Sequence, residues 1–151
     1  MKKSLVAAGI AVLVGSLGGA ALAQVKPEIL VKQRQSAMTL IGKYWGPLGG
    51  MAQGKVPYNA EVVQRNAGYL EVLSKMPWDG FDPSTKDEKT RALPEVYTNQ
   101  AKFKEAADRM QSEITKLVQV SKSGDEGAVK AQLGAVGKSC GNCHETFRQK
   151  Q

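Results

Sequence analysis

The residues of this chain that could do chemistry are concentrated in one short stretch, Cys140-Gly141-Asn142-Cys143-His144. The sequence holds two cysteines and one histidine, and all three fall inside these five positions. C-x-x-C-H is the attachment pattern for c-type haem. The two thiols add across porphyrin vinyl groups as thioethers, and the adjoining imidazole binds the iron from one side. On a helix, residues three or four apart share a face, so Cys140 lies beside both Cys143 and His144. Other chemistries fit less well. A thioredoxin-like C-x-x-C opens a helix after a strand, and no strand pattern precedes Cys140. A structural zinc site needs four Cys or His ligands where this chain offers three. A plain disulfide leaves His144 without a task. One covalent haem c uses all three residues.

Such attachment is bacterial chemistry carried out beyond the cytoplasm, and the N-terminus suits export. Met1-Lys2-Lys3 is cationic, Leu5 to Leu22 is apolar and rich in small residues, and Ala21-Leu22-Ala23 ends in a small-x-small pattern. Residues 1–23 therefore read as a cleaved signal peptide, although the apolar run is just long enough to serve as a membrane anchor. Residues 24–151 are then expected to be a single periplasmic domain, long enough to bury roughly two-thirds of its unfolded surface. Losing Lys2 and Lys3 takes the net charge from +7 to +5, and two haem propionates would lower it to about +3. That excess is modest. No dense Lys/Arg cluster interleaved with aromatics is present, which argues against nucleic acid as a partner.

The elements that must position the haem residues are all helical. Pro27-Glu28 is a helix start, and Leu30, Arg34, Ala37, Met38, Ile41, Trp45 and Leu48 follow at three- and four-residue steps. An arginine is thus set into an otherwise apolar stripe. Gly49-Gly50 should end or weaken this helix, and residues 52–57 read as a loop. Asn59 can cap a second helix with Val63, Ala67, Leu70 and Leu73 on its apolar face, stopping before Pro77. Residues 77–93 form the longest loop, in which Trp78 and Phe81 are expected to fold back over the bundle as a plug. Pro94-Glu95 starts a third helix, whose stripe of Val96, Phe103, Ala107, Met110, Ile114 and Leu117 skips only Gln100; Gly124 closes it. Asp125 caps the last helix, with Val129, Leu133, Val136, Cys140, Cys143 and Phe147 on one face. The cysteines therefore lie on a core-facing stripe. Four helices with short connections and no strand signals predict an all-α, antiparallel up-down-up-down four-helix bundle carrying one covalently bound haem c.

Several segments carry a resemblance to a known family. They are Arg34-Gln35-Ser36-Ala37-Met38-Thr39-Leu40, Lys55-Val56-Pro57-Tyr58-Asn59, Pro77-Trp78 with Phe81, Lys102-Phe103-Lys104, and Cys140 through Arg148. Together they resemble the cytochromes c′, a family of up-down-up-down bundles. The resemblance implies that His144 is the proximal iron ligand and that Cys140 and Cys143 hold the porphyrin. Arg34 would pair with a haem propionate, which agrees with the need of a cation in an apolar stripe for a partner. Arg148 would lie near the ring on the proximal side, and its position four residues after His144 allows that independently. Members commonly pair through their first two helices, so a homodimer is expected, with Val62 and Tyr69 compatible with a partner surface.

The other face of the iron decides the function. No second histidine exists, so the possible sixth ligands are Met38, Met51, Met76 and Met110, or none. By resemblance, Met38 stands where a bulky apolar side chain covers the iron without bonding it. A five-coordinate, high-spin haem in a dry apolar pocket binds small uncharged ligands, and the lack of a donor for dioxygen favours NO and CO. Nitric oxide binding or buffering is the function this implies, together with electron exchange with an unidentified redox partner. Low-spin relatives of the same bundle use a first-helix methionine as sixth ligand, which would make Met38 an iron ligand and the protein an electron carrier. Met51, Met76 and Met110 read as core or helix-end side chains. A peroxidase or oxidase needs a distal acid or base to move protons; none is available, so no enzymatic activity is expected.

Overall fold

A computed structural model describes residues 25–150, and the expected signal peptide over residues 1–23 lies outside them. The described residues form five helices: α1 (Pro27–Ala52), α2 (Ala60–Leu73), α3 (Glu95–Thr98), α4 (Gln100–Val120) and α5 (Glu126–Phe147). The four long ones close a ring, in which α1 packs on α2, α2 on α4, α4 on α5 and α5 on α1. This is the expected four-helix bundle. Among the described residues no strand occurs, and no helix is long and apolar enough to cross a membrane.

Most helix ends follow from local chemistry. Asn59 Oδ1 accepts from the Val62 amide at 3.0 Å and Asp125 Oδ1 from the Ala128 amide at 3.0 Å, each satisfying a donor that the first turn leaves free. The glycine pair does not stop α1, which continues to Ala52. The stop comes at Gly54, whose φ of 68° is readily open only to a residue without a side chain. There the Lys55 amide bonds back to Gly50 O at 2.9 Å and the Gly54 amide to Met51 O at 3.1 Å. Those two bonds satisfy the carbonyls of Gly50 and Met51 in the last turn.

The third helix differs from expectation. Instead of running unbroken from Pro94, it splits at Asn99, where φ −127° and ψ 54° leave the helical region. The break falls beside Gln100, the position at which the apolar stripe skipped. It separates α3, whose Val96 is buried, from the main run of α4. It also frees Tyr97 to aim its hydroxyl at the 77–93 loop.

That loop is not featureless. It contains two short 3-10 turns, Trp78–Phe81 and Pro83–Thr85, and packs on α1. Trp78 Nε1 donates to Ser74 O at 2.7 Å. The Trp78 and Phe81 rings stack at 6.2 Å, and Phe103 of α4 meets both edge-on at 5.8 and 4.9 Å. The aromatic pair is thus folded against the bundle as the sequence suggests.

The core is made by the anticipated stripes. Leu48, Val63, Leu70, Ile114, Leu117, Val129, Leu133 and Val136 are each at most 1% exposed. Burying one such side chain stabilises the fold by about 1.5–3 kcal/mol relative to leaving it in water. Met51 and Met110 belong to this core, whereas Met76 lies beyond α2 with its side chain exposed. Replacing Leu133 with Ala should cost about 2–5 kcal/mol in denaturant unfolding, while Lys102→Ala on the exposed face of α4 should change stability by less than about 0.5 kcal/mol. A Leu133→Ala protein as stable as the parent would mean that this core is misplaced.

Candidate haem-binding site

The last two turns of α5 carry Cys140, Cys143 and His144, all three half-buried. The helix stays regular to Phe147 because its final carbonyls are taken up. The Arg148 amide bonds to His144 O at 3.2 Å, and the Leu93 amide reaches across from the loop to Phe147 O at 3.0 Å. Gln149 N to Arg91 O and Arg91 Nη2 to Gln149 O, both at 2.9 Å, extend this clip between the loop and the C-terminal residues. The direction of α5 at the motif is therefore fixed from outside as well as from the core.

Burial pushes the Cys140 thiol above its ordinary pKa, against a smaller opposing pull from the Ser139 hydroxyl. Burial does the same to Cys143, helped by its neighbour Cys140 and opposed by the charge of Arg148. Both are therefore thiols at neutral pH, not thiolates poised for exchange, which argues against a redox-active C-x-x-C. They are free of each other. His144 is moved the other way: burial lowers its pKa, and the positive charges of Arg148 and Arg91 lower it further. Its imidazole is neutral at pH 7, the form that donates a lone pair to a metal. Among the described residues no cluster of three or more Cys, His, Asp or Glu forms a metal cage. The donor set suits one axial bond to an iron that brings its own macrocycle.

Arg148 is exposed and lines a depression of about 240 Å³ together with Arg91, His144, Glu145, Gln149 and Lys150. The four-residue step from His144 was expected to be helical, but Arg148 stands just past the end of α5 in extended backbone (φ −131°, ψ 133°). Met38 is half-buried at the margin of the core cluster, where Trp78 and Cys140 also pack. From Phe147, next to the motif, a row of edge-on rings runs through Phe103 (5.2 Å) and Phe81 (4.9 Å) toward α1.

Arg34, the arginine set into the apolar stripe, ends that row. It is only 3% exposed, and its guanidinium carbon sits 4.5 Å above the Phe81 ring centroid. Nη1 donates to Gly80 O (2.5 Å), Thr85 Oγ1 (2.9 Å) and Tyr97 Oη (3.2 Å), and Nη2 donates to Thr90 Oγ1 (3.2 Å). All four acceptors are neutral, and Arg34 belongs to none of the ion pairs among the described residues. A buried cation held by neutral groups alone is costly unless an anion approaches. A haem propionate is an anion of the right kind, so the residues present fit the group. Gly80, Thr85, Thr90 and Tyr97 were not singled out in the sequence. The apolar stripe announced that Arg34 needs partners, but nothing in the periodicity said which.

The family model described as Cytochrome C' matches residues 30–148. Cytochrome c′ of Rubrivivax gelatinosus is 40% identical over 126 residues, covering 83% of this chain and 98% of that protein. Cytochrome c′ of Alcaligenes xylosoxydans xylosoxydans is 37% identical over 126 residues, with 83% and 98% covered. Among solved structures, the Rubrivivax gelatinosus cytochrome c′ superposes with a TM-score of 0.76 at 40% identity, covering 82% of this chain and 98% of that one. A nitric oxide complex of a leucine-to-isoleucine mutant of the Alcaligenes xylosoxidans cytochrome c prime gives 0.75 at 38% identity, and a carbon monoxide-bound leucine-to-glycine variant gives the same values. Each of the two covers 83% of this chain and 98% of its own. A four-helix bundle with C-x-x-C-H closing its last helix, matched in family model, sequence and structure over most of its length, belongs to the cytochrome c′ family of covalently bound haem c proteins.

Proposed function

We propose that this chain is an exported gas-binding cytochrome whose haem is tethered through Cys140 and Cys143 and ligated by His144 on one face only. Bound there, the haem iron supplies a site for a neutral diatomic ligand and for one-electron exchange. The observation that carries the reading is the chemistry of the facing helix. Between the buried Ala37 and Ile41, Met38 offers a thioether and no hydrogen-bond donor or titratable group. Such a surface stabilises neither bound dioxygen nor a proton relay, and it leaves NO and CO as suitable ligands. Relatives solved with NO and with CO support the same ligand class. Nitric oxide binding or buffering is the resulting function, without a catalytic cycle of its own.

The chain's other residues have defined tasks in this reading. Burial, aided by the positive charges of Arg148 and Arg91, lowers the pKa of His144 and favours its neutral imidazole. Arg34 meets a propionate with the charge that its neutral partners leave uncompensated. The excess of basic residues suits an acidic redox partner, and the N-terminal segment suits delivery to the periplasm.

A homodimer through α1 and α2 is part of the proposal. Ile29 and Leu40 on α1, Tyr69 and Val72 on α2, and Met76 just beyond it are all exposed apolar side chains. Tyr69 packs on Tyr44 of α1 at 4.7 Å, which joins the two helices into one face. Val62 contributes less than expected, because it packs at the margin of the core.

Ferrous protein titrated with CO and with NO should shift its Soret band with each ligand; iron that is six-coordinate and low-spin in both redox states, with no response to either gas, would sink the reading. Met38→Ala should speed CO association by on the order of tenfold, equal to about 1.4 kcal/mol off the barrier, if Met38 covers the iron without bonding it. Should Met38 instead be a sixth ligand, the parent protein carries a sulfur-to-iron charge-transfer band that this substitution abolishes. Sedimentation should find a dimer that becomes a monomer on combining Tyr69→Lys with Val72→Glu; a parent protein monomeric at every concentration contradicts the interface.

A further inference from the structure

The partners of Arg34 do more than wait for a propionate. They come from four separate points of one segment, Gly80, Thr85, Thr90 and Tyr97, which lie 46 to 63 residues away in sequence. We propose, resting on the haem reading above, that Arg34 is a clasp that holds the 78–97 segment onto α1 and so positions the ring wall of Phe81, Trp78 and Phe103 beside the haem. Arg34 is on this account a positioning residue for ligand access as well as a counter-charge.

The proton accounting supports a built arrangement. The Thr85 hydroxyl, on a residue 1% exposed, gives its single proton to Asp82 O at 2.7 Å. Its lone pairs are then free for Arg34 Nη1 and for the Tyr97 hydroxyl at 2.9 Å. Arg34, Thr85 and Tyr97 thus form a closed triangle that joins α1, the second 3-10 turn and α3. A second feature locks the loop flat against the helix. A Cβ at Gly80 would stand 2.6 Å from Arg34 Cβ and 2.7 Å from Leu30 O, so only glycine lets the loop backbone lie this close to α1. Phe81, the next residue, is brought over the guanidinium plane and places its edge against Phe103. Disturbing the clasp therefore moves the rings.

Charge and clasping separate chemically. A propionate asks only for a positive charge, which lysine supplies. Bridging a carbonyl, three hydroxyls and an aromatic face from one side chain requires the planar fork of arginine. If Arg34 served the propionate alone, Arg34→Lys would be silent, and Gly80→Ala and Thr85→Val would have no bearing on the haem.

Three variants of the holoprotein test this: Arg34→Lys, Gly80→Ala and Thr85→Val. Haem content is read first from absorbance. Amide hydrogen exchange of peptides spanning residues 78–97 and the CO association rate of the ferrous protein are then measured. The clasp predicts full haem content in all three and exchange in the segment faster by about tenfold or more. It also predicts a CO rate faster by about threefold or more, with exchange in α5 within about twofold of the parent. Should Gly80→Ala fail to fold, Arg34→Lys and Thr85→Val carry the test. Segment exchange unchanged in these variants overturns the clasp. Faster exchange with an unchanged CO rate overturns its positioning role. A parent protein that never acquires haem overturns the haem reading instead, and is told apart because it appears without any substitution.

Discussion

A guanidinium buried among neutral acceptors is the constraint on which the site depends. Arg34 sits on the first helix, one turn before Met38, in a stripe that is otherwise apolar. Its five donors need acceptors and its charge needs an anion. The acceptors come from the long loop and from Tyr97, which obliges that loop to fold back over α1 instead of extending into solvent. Under the proposed function, a haem propionate would bring the missing negative charge. One side chain thereby ties α1 to the loop and, under the proposed function, both of them to the cofactor. Removing it would leave three hydroxyls and a carbonyl without their common donor.

The opposite end of the bundle is stabilised by different physics. From Leu48 to Val136 the buried cluster is mostly aliphatic, and a few polar contacts such as Asn66 Nδ2 to Tyr44 O at 3.1 Å and Gln132 Nε2 to Glu113 O at 2.9 Å tie neighbouring helices beside it. A further directional set, the acceptors of Arg34 and the row of Phe81, Phe103 and Phe147 rings, leads to the turn that carries Cys143 and His144. An aliphatic core fixes the four helices non-directionally. Directional bonds then fix the details at the haem end, where an ångström of displacement changes ligand access. The clip between Arg91 and Gln149 belongs to the same strategy, since it fixes the last turn of α5 without adding apolar volume.

Much of this was legible in the residues. The attachment motif is a fixed spacing of three residues, of two types that occur nowhere else in the chain, so its meaning does not depend on the fold. The helix stripes gave the core because a 3.6-residue period survives whatever the tertiary packing does. The ends were less readable. The glycine pair at 49–50 reads as an end or a weak point of the helix, yet α1 continues to Ala52 and the positive φ falls at Gly54. The break at Asn99 showed only as a gap in the stripe at Gln100. Least legible were Gly80, Thr85, Thr90 and Tyr97. Their role comes from convergence on one distant arginine, and convergence leaves no periodic trace in a loop.

What the account claims at its centre is an iron bonded by His144 and covered, but not bonded, by Met38. Electron paramagnetic resonance of the ferric holoprotein at neutral pH tests this most directly, because it reads the spin state without any added ligand. The account predicts an axial high-spin signal that is kept when Met38 is replaced by Leu. A rhombic low-spin signal in the parent protein, converted to high-spin by Met38→Leu, would contradict it.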